Sequence, residues 1–164
     1  MTRLPYAQLI DIKRWADRGL CAAVKDNSDR LSDDETFIML RIFDHIHTVD
    51  RIFQSHLLGL PHTFKAARSE VMPDFQTLAD HMAEVDDWYA SYVRGLSAED
   101  LEQPIDFVFT SGKPARMRRG EIILHVCLHG TYHRGNAGAV LQLKGLTPGR
   151  DAITDYLDDM AQAA

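Results

Sequence analysis

Cysteine is scarce in this chain: Cys21 and Cys127 are the only two among 164 residues. Two thiols in a chain of this length do not make a disulfide framework. Both sit inside apolar helical patterns, where a free buried cysteine is ordinary. Positive charge is also short, with 18 Lys and Arg against 24 Asp and Glu and a net charge of −6. That balance disfavours a surface that tracks a phosphate backbone, so no nucleic-acid partner is expected. The one basic cluster, Lys113 with Arg116, Arg118 and Arg119, reads as a solvated turn and helix start. No apolar run approaches the roughly 20 residues that a membrane span needs. The first ten residues lack a charged start followed by an apolar stretch, so a cytoplasmic protein is expected. Neither a P-loop, nor a G-x-G-x-x-G fingerprint, nor a Ser-His-Asp arrangement stands out to support other chemistry.

What is present is helical periodicity. Leu9, Ile12, Ala16, Leu20 and Val24 recur at helical spacing and predict a first helix from about Pro5 to Lys25. Ser32 followed three residues later by Glu35 is a capping pattern that opens a second helix. Its stripe of Met39, Phe43, Ile46, Asp50, Phe53 and Leu57 ends at Gly59 and Pro61. Asp50 lies on that apolar stripe, and a buried carboxylate needs a partner, most simply a basic or hydrogen-bonding group on another helix. A breaker-rich connection over 59–73, with room for one loose helical turn, leads to a third helix from about Asp74 to Arg94. Ile105-Asp106-Phe107-Val108-Phe109 then alternates, Ser111-Gly112 supplies a turn, and Pro114 to Met117 can return as a second short strand. A fourth helix spans about Arg119 to Lys144, and a short last helix about Asp151 to Met160. The expected fold is all-α: one domain over residues 1–164, an antiparallel four-helix bundle with one long crossover and a small β-hairpin between the third and fourth helices.

Three of the eight histidines, His125, His129 and His133, fall at four-residue spacing on the fourth helix. Residues four apart on a helix are neighbours, about 5–6 Å between Cβ atoms, so two imidazoles can close on one ion. Each such step drifts ~40° around the axis, and His125 and His133 are roughly 12 Å apart by rise. One ion therefore takes an adjacent pair, His125 with His129 or His129 with His133, and a further ligand comes from another helix. The second helix offers His45 and His47, which flank its stripe on either side, and spacing does not choose between them. A buried polar network and a pH-sensitive interface are the alternatives to a metal site. His56, His62 and His81 read as surface or loop histidines.

The stretch His129-Gly-Thr-Tyr-His133-Arg-Gly, preceded by His125, resembles the signature of the DinB-like (DinB/YfiT-like) family of metalloenzymes. The stretch from Asp44 to Phe53 followed by His56-Leu57, and Arg14 to Leu20 in the first helix, resemble the same family. The resemblance implies a four-helix bundle, usually a homodimer, with a divalent ion held by three histidines. Carried onto this chain those are His45, His129 and His133, with His125 left as a neighbour. Where the family often has Gln after His-Arg-Gly, this chain has Asn136, a shorter amide. Three neutral imidazoles suit Zn, Ni, Fe, Co or Mn and leave coordination positions open. Related branches resemble thiol-dependent transferases and isomerases, which implies a small-molecule substrate and a low-molecular-weight thiol. Metal-dependent hydrolysis and a non-catalytic metal-binding stress protein are the other two readings. Tyr132 and Arg134 lie beside the ligands, and each reads first as a packed phenol and a salt-bridging guanidinium.

Overall fold

Helix α1 (Tyr6–Asp26) is followed by a single 3-10 turn over Ser28–Arg30 and then by α2 (Asp33–Leu58) in a computed structural model that describes residues 5–163. The expected capping box is formed. Glu35 N–H donates to the Ser32 hydroxyl, and the Glu35 carboxylate accepts the Ser32 N–H at 2.8 Å. Helix α2 ends at Gly59, whose φ of 64° is left-handed and suits a residue without a Cβ. Residues 59–74 form a crossover of bends, and the loose helical turn expected there is not formed. Asp74 caps α3 (Phe75–Arg94) by accepting the Thr77 N–H. A short helix α4 (Ala98–Glu102) follows, opened by a Ser97–Asp100 capping box that sequence reading passed over. Strands β1 (Pro104–Val108) and β2 (Pro114–Arg118) pair antiparallel, with Asp106 opposite Arg116. The chain finishes with α5 (Arg119–Leu143) and α6 (Ile153–Gln162).

Four long helices make the body of the fold. Helix α1 packs on α3 and α5, and α2 packs on the same two, so α1 and α2 lie at opposite corners. Contacts fix the directions. Asp11 meets Arg94 and Lys13 meets Asp86, so α1 and α3 run antiparallel. Glu35 meets Lys144 and His45 meets His129, so α2 and α5 do the same. Phe43 against Phe75 and Leu57 against Tyr92 show α2 and α3 running parallel, which is what a long crossover between them requires.

The core has two apolar clusters. One, toward the hairpin, gathers Ile10, Phe53, Val85, Tyr89, Ile122 and Val126. The other gathers Leu20, Met39, Phe43, Ile46, Leu78 and Leu141. Between them lies a buried layer of charge. The Lys13 ammonium, 2% exposed, sits 2.7 Å from Asp17, 2.8 Å from Asp50 and 2.6 Å from Asp86. Asp17 also accepts from Arg134 at 2.9 Å, and Arg134 reaches Asp151 at 2.7 Å. Lys13 is thus the partner that the stripe residue Asp50 required. Burial alone would lower the Lys13 pKa, but Asp17, Asp50 and Asp86 outweigh it and hold the group well above its ordinary value.

Burial pushes the Asp50 carboxyl from 3.8 up to about 6, with Lys13 only partly offsetting it. The fold therefore favours the protonated form of Asp50. That contribution is fully present below about 3.8 and is lost as pH rises through about 6. Two units on a fully buried group correspond to roughly 3 kcal/mol. Urea unfolding across pH 4 to 7 should accordingly show a less negative slope of stability against pH in Asp50→Asn than in the wild type, and identical slopes would contradict the assignment.

Candidate metal centre

His45 stands mid-way along α2, and its ring is oriented from outside the helix. Its Nδ1–H donates to the Ala67 carbonyl of the crossover at 2.7 Å. This leaves the Nε2 lone pair free, and Nε2 lies 3.0 Å from His129 Nε2 on α5. The crossover is itself pinned beside the site. The Ser69 N–H donates to both carboxylate oxygens of the buried Asp44, at 3.0 and 3.3 Å. A carbonyl behind an imidazole in this way fixes the ring's tautomer and aim.

His133 completes the group. Its ring centroid is 4.4 Å from that of His45 and 4.5 Å from that of His129. One ring nitrogen from each of His45, His129 and His133 falls within 4.8 Å of the others, and all three residues are half-buried. Nitrogens 3.0 Å apart are within the span that one ion bridges with bonds of about 2 Å. Burial, then the neighbouring His133 and His45, push the His129 pKa down to about 3. Burial and His45 lower that of His133. Neutral imidazoles keep the lone pairs a metal needs. The residues therefore fit a divalent ion.

The other sequence candidates fall elsewhere. His47 turns to the opposite flank and stacks on His81 of α3 at 5.4 Å, with burial pushing its pKa to about 4. His125 is exposed and lies outside the group of three, its ring stacked 5.6 Å from that of His129 and 4.8 Å from that of Phe53. Tyr132 is 68% exposed, so its phenol is not packed, and its ring meets the His133 ring edge-on at 5.0 Å. Arg134 is buried in its ion pairs with Asp17 and Asp151 and turns away from the histidines. His56 and His62 are not plain surface residues. Their rings lie 5.2 Å apart, His56 stacks on Phe107, and His56 Nε2 and His62 Nδ1 are buried without a partner among the described residues. Sequence reading missed Ala67 and Ser69, because a carbonyl and an amide in an irregular segment carry no side-chain signal. A cavity of about 250 Å³ lies between α1, α5 and Pro148–Asp151 and includes none of the histidines.

The DinB family model matches residues 8–163 of the chain. The chain belongs to the DinB family. No curated protein matches it significantly. A crystal structure of a DinB-like protein from Bacillus cereus ATCC 10987 matches this DinB fold with a TM-score of 0.64 over 88% of this chain and 94% of that one. At 19% identity the likeness speaks for the fold alone. Among the described residues of this DinB protein, no helix is long and apolar enough to cross a membrane.

The pinning of the crossover can be checked directly. Asp44→Ala removes a charged acceptor, worth ~1.5–3 kcal/mol of local stability. Hydrogen exchange at the Ser69 amide should speed by about ten-fold or more while amides of α1 and α3 keep their rates. Unchanged Ser69 exchange would mean that Asp44 does not hold the crossover.

Proposed function

We propose that His45, His129 and His133 bind one divalent ion, and that the bound ion serves chemistry on a small molecule. The observation that carries this reading is the convergence of one ring nitrogen from each of three histidines, with His45 aimed by the Ala67 carbonyl. Three protein ligands leave coordination positions open, whereas a closed structural zinc site normally has four. When bound, a divalent ion in such a set supplies Lewis acidity, lowering the pKa of a water or thiol ligand or polarising a carbonyl.

The leading reaction is transfer of a low-molecular-weight thiol to an electrophile. Both cysteines of the chain support an external thiol, because burial pushes each thiol up to about 12 and neither offers a thiolate. The chain's own groups flank the open side. The His125 side chain is open to solvent on one side, but its ring is partly covered by Phe53, which lowers its pKa, and it stands beside His129 as a base able to take a proton from an incoming nucleophile. Tyr132 stands exposed beside His133, where its phenol can orient a substrate. We further read the protein as a cytoplasmic homodimer. The exposed Leu128, Tyr132 and Leu143 of α5 support a self-association surface, which light scattering on the purified chain tests.

Metal analysis of protein purified without a metal-affinity tag should find about one divalent ion per chain. His45→Ala, His129→Ala and His133→Ala should each weaken binding by more than ~100-fold, beyond what loss of an outer-shell group does. Unaltered metal content in these variants would sink the site. A screen of electrophiles with several cellular thiols then separates the readings of the chemistry. Metal-dependent thioether formation supports transfer, turnover without thiol supports hydrolysis, and no turnover supports a binding protein.

A further inference from the structure

We propose that the buried ion layer built on Lys13 and Arg134 is a positioning device, which fixes the rotation of α5 so that His129 and His133 meet His45. The inference rests on the metal reading only for its metal-binding arm; the placement of the three imidazoles is its own subject.

Both features occupy two successive turns of α5, His129 beside Gly130 and His133 beside Arg134. His129 and His133 leave one side of the helix, and Gly130 and Arg134 leave the other, into the layer of charge. Gly130 rests directly on that layer. A Cβ there would lie 2.8 Å from Arg134 Nη1 and 3.4 Å from Lys13 Cε, so this turn approaches the ions as closely as a glycine permits. Arg134 is held on two sides. Asp17 of α1 accepts from Nη1 at 2.9 Å, and Asp151, beyond the end of α5, accepts from Nε and Nη2 at 2.7 and 2.9 Å. Asp17 is shared with Lys13, which ties the same point to Asp50 of α2 and Asp86 of α3. Helix α2 carries His45, so one chain of ion pairs runs from the helix that bears the first imidazole to the helix that bears the other two.

Apolar side chains of similar volume can stabilise a core as well as buried ion pairs do. What they do not supply is point-to-point geometry. A one-residue change in the seating of α5 rotates it by ~100° and carries both histidines away from His45. Ion pairs at 2.6–2.9 Å penalise that rotation in a way that leucines would not.

Substituting Lys13 risks the fold, so the test uses two milder variants. Gly130→Ala displaces Arg134 from within the helix. Asp151→Asn loosens Arg134 from a residue outside the four long helices. Gly135→Ala, where an added Cβ meets nothing within 4 Å, is the control. Cobalt(II) binding, its visible spectrum, and the imidazole nitrogen shifts of His45 and His129 in metal-free protein are measured beside helix content. We expect Gly130→Ala and Asp151→Asn to weaken cobalt binding about five- to ten-fold, alter the spectrum and shift the His129 ring resonances at undiminished helix content, with Gly135→Ala like the wild type. Unchanged affinity and ring shifts in both variants would overturn the proposal. So would losses that disappear once the unfolded fraction is subtracted. Failure of the wild type to bind cobalt would count against the metal reading instead, and the imidazole shifts would still decide the positioning.

Discussion

A lysine ammonium enclosed in a helical core is the constraint around which this structure is arranged. An isolated charge of that kind is far too costly to bury, so Lys13 is surrounded by carboxylates from three helices. Those carboxylates in turn exceed the local positive charge. Four of them, Asp17, Asp50, Asp86 and Asp151, face Lys13 and Arg134 alone. The imbalance is relieved unevenly. Asp17 sits between both cations, and although burial works against its ionisation, Lys13 and Arg134 bring its pKa to about 2. Asp50 and Asp86 are pushed upward by burial, Asp86 well above its ordinary value. Both shifts ease proton uptake, for Asp50 as pH falls through about 6, which limits the net charge that the layer carries inside the bundle.

The histidine group obeys the opposite logic at the same level of the bundle. Among the described residues, no carboxylate pairs with its rings. Burial and neighbouring imidazoles lower the pKa values of His129 and His133, and His45 is committed to one tautomer by a backbone carbonyl. A neutral donor set does not cancel the charge of a divalent ion, which therefore keeps its polarising power. The two layers divide the work of α5 around its circumference. Its inward side is bound by ions that allow one seating, and its outward side presents lone pairs that need that seating.

The parts of this arrangement differed in how visible they were along the chain. Periodicity and caps placed the four long helices and the hairpin, because amphipathic spacing and the Ser32–Glu35 pattern are local properties. Helix α4 had its own local mark, Ser97 with Asp100, but spans only five residues. The four-residue step of the α5 histidines was legible, and helix geometry excluded one ion for all three. The choice between His45 and His47 was not, since both flank one apolar stripe and only the packing of α2 on α5 distinguishes them. Asp50 announced a missing partner without naming it. Lys13 stayed hidden because a lone lysine in a helical pattern reads as solvated. Ala67 and Ser69 act through backbone groups, which no residue type encodes.

The site is thus distributed over segments that meet only in the folded chain: α2 for His45, α5 for His129 and His133, and the crossover for the carbonyl that aims His45. None of these would hold an ion well alone, since a single helix offers one adjacent pair of imidazoles and the third ligand lies 84 residues away in sequence from His129. Binding energy for an ion is then spent on the folded state and not on the unfolded one, which couples occupancy to stability by mass action. The same coupling runs backward. Anything that reseats α5 against the charged layer changes the separation of the three rings, because Gly130 and Arg134 directly follow His129 and His133 along the helix. Fold specificity and the placement of the three imidazoles are for this reason tied to one packing arrangement, in which the buried lysine links α1, α2 and α3.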